Sequence, residues 1–188
     1  MRRMLDKHRV RHHVHRLSVA RLTWCLLGAA AGISLALFVA GPPHATFVLA
    51  SLGGSSVFLF GLTRAPAAQP RALFGGHLGG AIIGIACAHF IGSTPLAYAI
   101  AVSLSLGLML VTRTVHPPAG ANPVLMVYAN AQWPAVLNPV LLGVLCLVAV
   151  AFVWSRLYPG LVHYPVSLWE PSPPSLTWGG WSDDRPGR

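Results

Sequence analysis

Between Lys7 and Trp169 the 188-residue chain has no aspartate or glutamate; its acidic residues are Asp6, Glu170, Asp183 and Asp184. That gap removes the carboxylates on which cation pathways and carboxylate proton relays usually depend. It also removes paired-carboxylate catalysis and most sites for hard metal ions. Charge of either sign is scarce: 9% of residues are charged, against roughly a quarter in a soluble domain. With 54% hydrophobic residues and a mean hydropathy of +0.61, the chain reads as one integral membrane domain. Cysteine is thin as well. Cys25, Cys87 and Cys146 stand alone, one in each of three apolar runs. They form no CxxC motif and no disulfide framework, and read as small buried hydrophobes. No Ser/His/Asp set, zinc motif or phosphate loop is present, so neither an enzyme, a cofactor nor a bound metal is expected.

What the chain does have begins with a basic head. Arg2, Arg3, Lys7, Arg9, Arg11, Arg16 and Arg21 supply much of the net charge of +9. Residues 1–21 are expected to be a cytoplasmic tail obeying the positive-inside rule, in contact with membrane lipid. Nucleic-acid binding is not expected, since the tail lacks interleaved aromatics. His8, His12, His13 and His15 share it, without the carboxylate or cysteine partner that a metal site would want. The basic region is too long for a cleaved signal peptide, and the apolar run after it has no clear small-residue cleavage site.

Residues 22–157 divide into about six apolar segments, an all-α polytopic transmembrane bundle. The segments are 22–40, 45–62, 72–91, 96–112, 119–132 and 135–156. The first contains Gly28 and Gly32 as a GxxxG, and the third contains Gly75, Gly76, Gly79, Gly80 and Gly84; both patterns let a second helix backbone approach closely. The second is small and polar at its centre, from Ser51 to Ser56. This suits tight packing or a broken helix facing a pathway. His77 and His89 share the third segment but not one stripe, so one of them faces the interior. The fifth offers about 14 residues, about 21 Å of helix, short of a hydrocarbon core of about 30 Å. The sixth is apolar throughout and reads as scaffold.

Val115-His116-Pro117-Pro118-Ala119-Gly120-Ala121-Asn122-Pro123 lies between two long apolar runs. Three prolines remove three backbone donors. The residues before them are pushed toward extended backbone, while Pro118 suits the first position of a new helix. Irregular backbone at membrane depth persists only where protein or a water-filled cavity satisfies it. The stretch is therefore either a plain interfacial turn or a site. With the N-terminus inside and six crossings, Arg64, Arg71, Arg113 and Arg156 all fall on the inner side, in agreement with the positive-inside rule. A re-entrant stretch would put Arg156 outside.

Two clusters then correspond, Pro42-Pro43-His44 and His116-Pro117-Pro118, each before the second helix of a three-helix half. Ala68-Gln69-Pro70 and Ala131-Gln132-Trp133-Pro134 precede the third helix of each. Three crossings per half would make an inverted repeat, and interrupted segments at matching positions of such repeats point to a transport site. The tail, residues 158–188, is rich in proline and tryptophan and should lack regular structure, with its tryptophans at the headgroup level.

His116-Pro117-Pro118-Ala119-Gly120-Ala121 resembles the signature of the HPP family of integral membrane proteins. A second block is similar to that family too: Leu52-Gly53-Gly54-Ser55-Ser56-Val57-Phe58-Leu59-Phe60, then Ala68-Gln69-Pro70-Arg71-Ala72-Leu73-Phe74-Gly75-Gly76-His77-Leu78-Gly79-Gly80. The resemblance covers about residues 22–156. Asn122-Pro123 departs from it, since small or hydroxyl residues are more usual there. The family is usually described with four spans, and some members in chloroplast envelopes and cyanobacteria are nitrite transporters. The resemblance thus implies transport of a small anion, nitrite, here across a bacterial inner membrane.

The residues suggest how. Helix N-termini attract anions without a full counter-charge, so helices started by Pro117 and Pro118 and by the Pro42-Pro43 cluster would aim at one pathway. His44 and His116 stand at these starts. Ser55, Ser56 and Asn122 would complete the shell, and Arg71 and Arg113 would draw anions to the inner mouth. His77 would donate a hydrogen bond or carry a proton, since histidine titrates near neutrality. The alternative is a non-transporting membrane scaffold, in which glycine seams and tails serve a partner or a homo-oligomer.

Overall fold

The computed structural model describes residues 19–41 and 50–175. Six helices run through them: α1 (Val19–Ala40), α2 (Ala50–Ser56), α3 (Pro70–Ile91), α4 (Pro95–Thr112), α5 (Asn122–Tyr128) and α6 (Leu142–Leu157). The second continues as a π-helical turn, Val57–Gly61, and the fifth is preceded by a 3₁₀ turn, Pro117–Ala121. Four stretches are long and apolar enough to cross a membrane: Val19–Ala40, Pro70–Ile91, Pro95–Thr112 and Trp133–Leu157.

Local chemistry sets the boundaries. Gln69 and Thr94 take extended backbone before Pro70 and Pro95, each at a helix's first position, where a missing N–H costs nothing. Thr94 Oγ1 also accepts from the Ala97 amide at 3.2 Å. The sixth run is not one smooth helix, contrary to its apolar sequence. Asn138 has φ −133° and ψ 113° inside it, because a residue before proline avoids helical backbone and Pro139 cannot donate to the preceding turn.

Glycines decide which helices meet. A methyl group on Gly28 would lie 2.6 Å from the Trp154 indole, and one on Gly32 would lie 2.7 Å from Leu147, so α1 lies antiparallel against α6. Gly76, Gly80 and Gly84 form a second seam, against His116 and Ala119, then Asn122 and Pro123, then Pro123 and Met126. Residue numbers rise together along this seam, so the Pro117 turn and α5 run parallel to α3. At its far end Ser93 Oγ donates to the Val127 carbonyl at 3.0 Å. The fifth segment therefore traverses the bundle beside α3 rather than dipping in and out. The halves α1–α3 and α4–α6 thus run in opposite senses. Arg21, Arg64, Arg71, Arg113 and Arg156, the arginines of the described residues, share the end where α1 begins.

Residues 158–175 have no regular helix or strand, yet they are bound across that end as a strap. Tyr164 is fully buried, its amide donating to Ser155 Oγ at 2.9 Å; burial pushes its phenol above the usual range. Val166 and Ser167 amides donate to Gln69 Oε1 at 2.9 and 3.2 Å. Ser172 pairs with the chain just before His116: its amide donates to the Arg113 carbonyl, and the Ser172 carbonyl accepts from the Val115 amide. Trp169 is exposed; Trp178 and Trp181 lie outside the described residues.

Candidate functional site

The small polar centre of α2, the middle of α3 and the proline stretch meet at one point. Ser51 to Ser56 present little bulk, and a methyl group on Gly54 would lie 2.9 Å from Pro118, so α2 packs closely on the Pro117 turn. Gly76 lets His116 Cβ and the Thr114 carbonyl approach α3. Ser55, His77 and His116 are wholly buried there and Asn122 is 1% exposed. Ser55 Oγ stands 2.8 Å from His77 Nε2 and 2.8 Å from His116 Nε2. The imidazole centroids are 5.2 Å apart, with the Phe58 ring edge-on to His116.

Carbonyl partners fix where the protons sit. His116 Nδ1 lies 2.6 Å from the Ala67 carbonyl; a carbonyl only accepts, so Nδ1 carries the hydrogen. Asn122 Nδ2 donates to the His77 carbonyl at 2.9 Å and to His77 Nδ1 at 3.0 Å, which leaves the hydrogen of a neutral His77 on Nε2. One chain of donors results: Asn122 to His77, His77 to Ser55, Ser55 to His116, His116 to Ala67. The Ser51 carbonyl, 3.1 Å from Ser55 Oγ, is a second acceptor for the hydroxyl. An added proton on His116 Nε2 therefore fits without breaking the cluster. Both Nε2–H groups then donate to Ser55 Oγ, and its hydroxyl turns to Ser51. Within the cluster Asn122 Oδ1 alone is buried without a partner.

Other expected site residues fall elsewhere. Ser56 Oγ donates to its own helix, to the Gly53 carbonyl at 2.7 Å. Pro117 is exposed and Pro118 is a packing surface for Gly54. The expected anion site at this helix start is corrected by its chemistry: Pro117 and Pro118 have no N–H, and the Ala119 amide donates to the His116 carbonyl at 2.9 Å. The other start, at Pro42, Pro43 and His44, lies outside the described residues. His89 is exposed. Among the described residues no group of three His, Cys, Asp or Glu side chains comes together to hold a metal.

Arg71 and Arg113 are not open mouth charges. Arg71 donates to the Thr112 carbonyl at 2.9 Å and the Trp169 carbonyl at 3.3 Å; Arg113 donates to the Pro173 and Pro174 carbonyls. Both tie the strap to the bundle. Arg71→Gln is therefore expected to destabilise the folded protein by about 1–3 kcal/mol, the worth of hydrogen bonds from a charged group. Thermal unfolding should show a similar loss at low and high salt, because the partners are carbonyls rather than ions. A loss that vanishes at high salt would restore the mouth-charge role.

Sequence reasoning passed over Gln69, which is wholly buried. Its Nε2 donates to the Thr63 and Ala65 carbonyls at 2.8 and 3.1 Å, while its Oε1 receives the strap. This holds the loop carrying Ala67, and so the outer anchor of His116. Its signal was a polar amide beside Pro70, inside a block already singled out for its resemblance.

Fold and cluster together define a polytopic helical membrane protein with a polar hydrogen-bonded centre sealed in its interior. The chain belongs to the HPP family: the model of the HPP transmembrane region matches residues 14–165. It is similar to two transmembrane proteins of Dictyostelium discoideum. One is 32% identical over 166 residues, covering 82% of this chain and 53% of the relative. The other is 33% identical over 130 residues, covering 65% and 45%. The chain thus spans about half the length of these curated relatives. No solved structure gives a significant match.

Proposed function

We propose that this domain carries a small inorganic anion, nitrite in the first instance, across the membrane together with a proton. The observation that carries the reading is the Ser55 hydroxyl shared by two buried imidazoles, with the Ser51 carbonyl as its second resting place. The cluster has room for one more proton in its hydrogen bonds. An imidazolium without a counter-ion is costly at this depth, so proton and anion would load together and cross as a neutral pair. Nitrite as substrate rests on the resemblance to family members that transport it. The opposite senses of the two halves fit the architecture of inverted-repeat transporters, and in the sequence a proline cluster precedes the second helix of each half. The arginine-bearing end, with the N-terminus, would face the cytoplasm of a bacterial cell.

Reconstitution in liposomes tests the proposal. Wild-type protein should pass nitrite at a rate that an imposed membrane potential leaves unchanged. His116→Ala should insert normally and lower the flux by about tenfold or more, the scale on which positioned proton carriers act. Wild-type flux in that variant would remove His116 from the pathway. Protein that passes no nitrite, nitrate, formate or chloride would leave the scaffold reading, which the close glycine seams and bound strap suit.

A further inference from the structure

The five described arginines divide into two groups. Arg71, Arg113 and Arg156 are committed to backbone carbonyls, Arg156 to that of Tyr164 at 2.9 Å. Arg21 and Arg64 have no hydrogen bond or ion pair among the described residues, and each lines one part of a two-part hollow at the arginine-bearing end. Its larger part, about 420 Å³, lies between the Phe60–Ala65 loop, Cys25 and residues 160–162. Its smaller part, about 210 Å³, is lined by Arg21, Trp24, Cys25 and residues 158–161. The two share Cys25, Gly160 and Leu161. Among the described residues no acidic side chain lines either part.

The walls match what a lipid headgroup meets. Trp24 stacks on Trp154 with centroids 4.4 Å apart and lies 5.4 Å from Tyr158, an aromatic group at the depth where such residues anchor to the interface. Leu22, Leu26 and Leu62 are exposed nearby and offer apolar surface to acyl chains. Gly160, at φ +77°, turns the chain across the hollow without a side chain to fill it. The larger part alone, about 420 Å³, falls in the range of small-molecule sites, about 300–1,000 Å³. Two unengaged guanidinium forks suit phosphate oxygens, which accept paired N–H donors.

We propose that this hollow binds the phosphate of an anionic phospholipid, held by Arg21 and Arg64 with its chains along α1. The site is independent of the His77–Ser55–His116 cluster and of whatever that cluster transports.

The test uses the full-length protein in neutral detergent, titrated with phosphatidylglycerol, phosphatidylcholine or inorganic phosphate, and read by thermal unfolding and native mass spectrometry. Phosphatidylglycerol should raise Tm and remain bound, whereas phosphatidylcholine should do neither. Arg21→Gln/Arg64→Gln should weaken phosphatidylglycerol binding by about tenfold or more. Arg2→Gln/Arg3→Gln, which removes equal charge from the basic head, should bind as wild type. Equal weakening in both double variants, or equal binding of the two lipids, would overturn the site. Inorganic phosphate matching phosphatidylglycerol at equal concentration would overturn the lipid assignment in favour of soluble phosphate.

Discussion

Ser55→Ala is expected to destabilise the folded domain by about 2–6 kcal/mol, because it strands two buried partners at about 1–3 kcal/mol each. His77 Nε2–H loses its acceptor and His116 Nε2 loses its donor, and neither imidazole has solvent access to replace them. The volume removed is one oxygen atom, so a cavity term contributes little. Ser56→Ala is the matched control. Its hydroxyl serves only the Gly53 carbonyl of its own helix, a carbonyl that remains free to bond along the helix, and its loss should be near neutral. Thermal unfolding of the two variants side by side decides the matter: equal effects would mean that the shared hydroxyl does not hold the cluster. On the proposed transport reading, flux should fall with Ser55→Ala as well, since a proton would lose its route between the rings.

Gly84→Ala should weaken the bundle more than any other glycine-to-alanine change on the α3–α5 seam. Its new methyl group would sit 2.7 Å from Pro123 Cα, 2.8 Å from the Pro123 carbonyl oxygen and 2.8 Å from Met126 Cβ. Two of these are backbone atoms, which cannot rotate away, so the helices must separate. Overpacking of this kind costs about 1–3 kcal/mol and sometimes more. Gly107→Ala supplies the opposite sign. Nothing lies within 4 Å of the added carbon in α4, so only the helix-propensity gain remains, up to about 1 kcal/mol. The two Tm shifts should differ in sign; a neutral Gly84→Ala would show that α3 and α5 are not in the close contact described.

Much of the architecture was readable along the chain because lipid is an exacting solvent. Apolar length reports spans, prolines report interruptions, and arginines report one end; each of these is a local property. Asn138 marks where that reading fell short, since the sixth run reads as apolar throughout and its Asn-Pro step breaks it. Arg71 and Arg113 mark another shortfall. Their charge was visible, but a carbonyl partner some 60 to 98 residues away was not.

His116 and His77 could be singled out individually, one by the prolines around it and the other by its place among glycines. Their meeting on one serine, and the tautomers that result, depend on atoms from four separate segments: Ser51–Ser55, Ala67, His77 and Asn122. By itself the sequence determined that residues 22–157 are a helical membrane domain without carboxylates, interrupted by proline before the fifth helix, because solvation by lipid acts residue by residue. Only the tertiary structure decided that the first amide after the two prolines, that of Ala119, is already bonded to the His116 carbonyl and that a hydrogen-bonded histidine pair lies beside it. Hydrogen-bond direction is set by which partners arrive, and those arrive through helix packing.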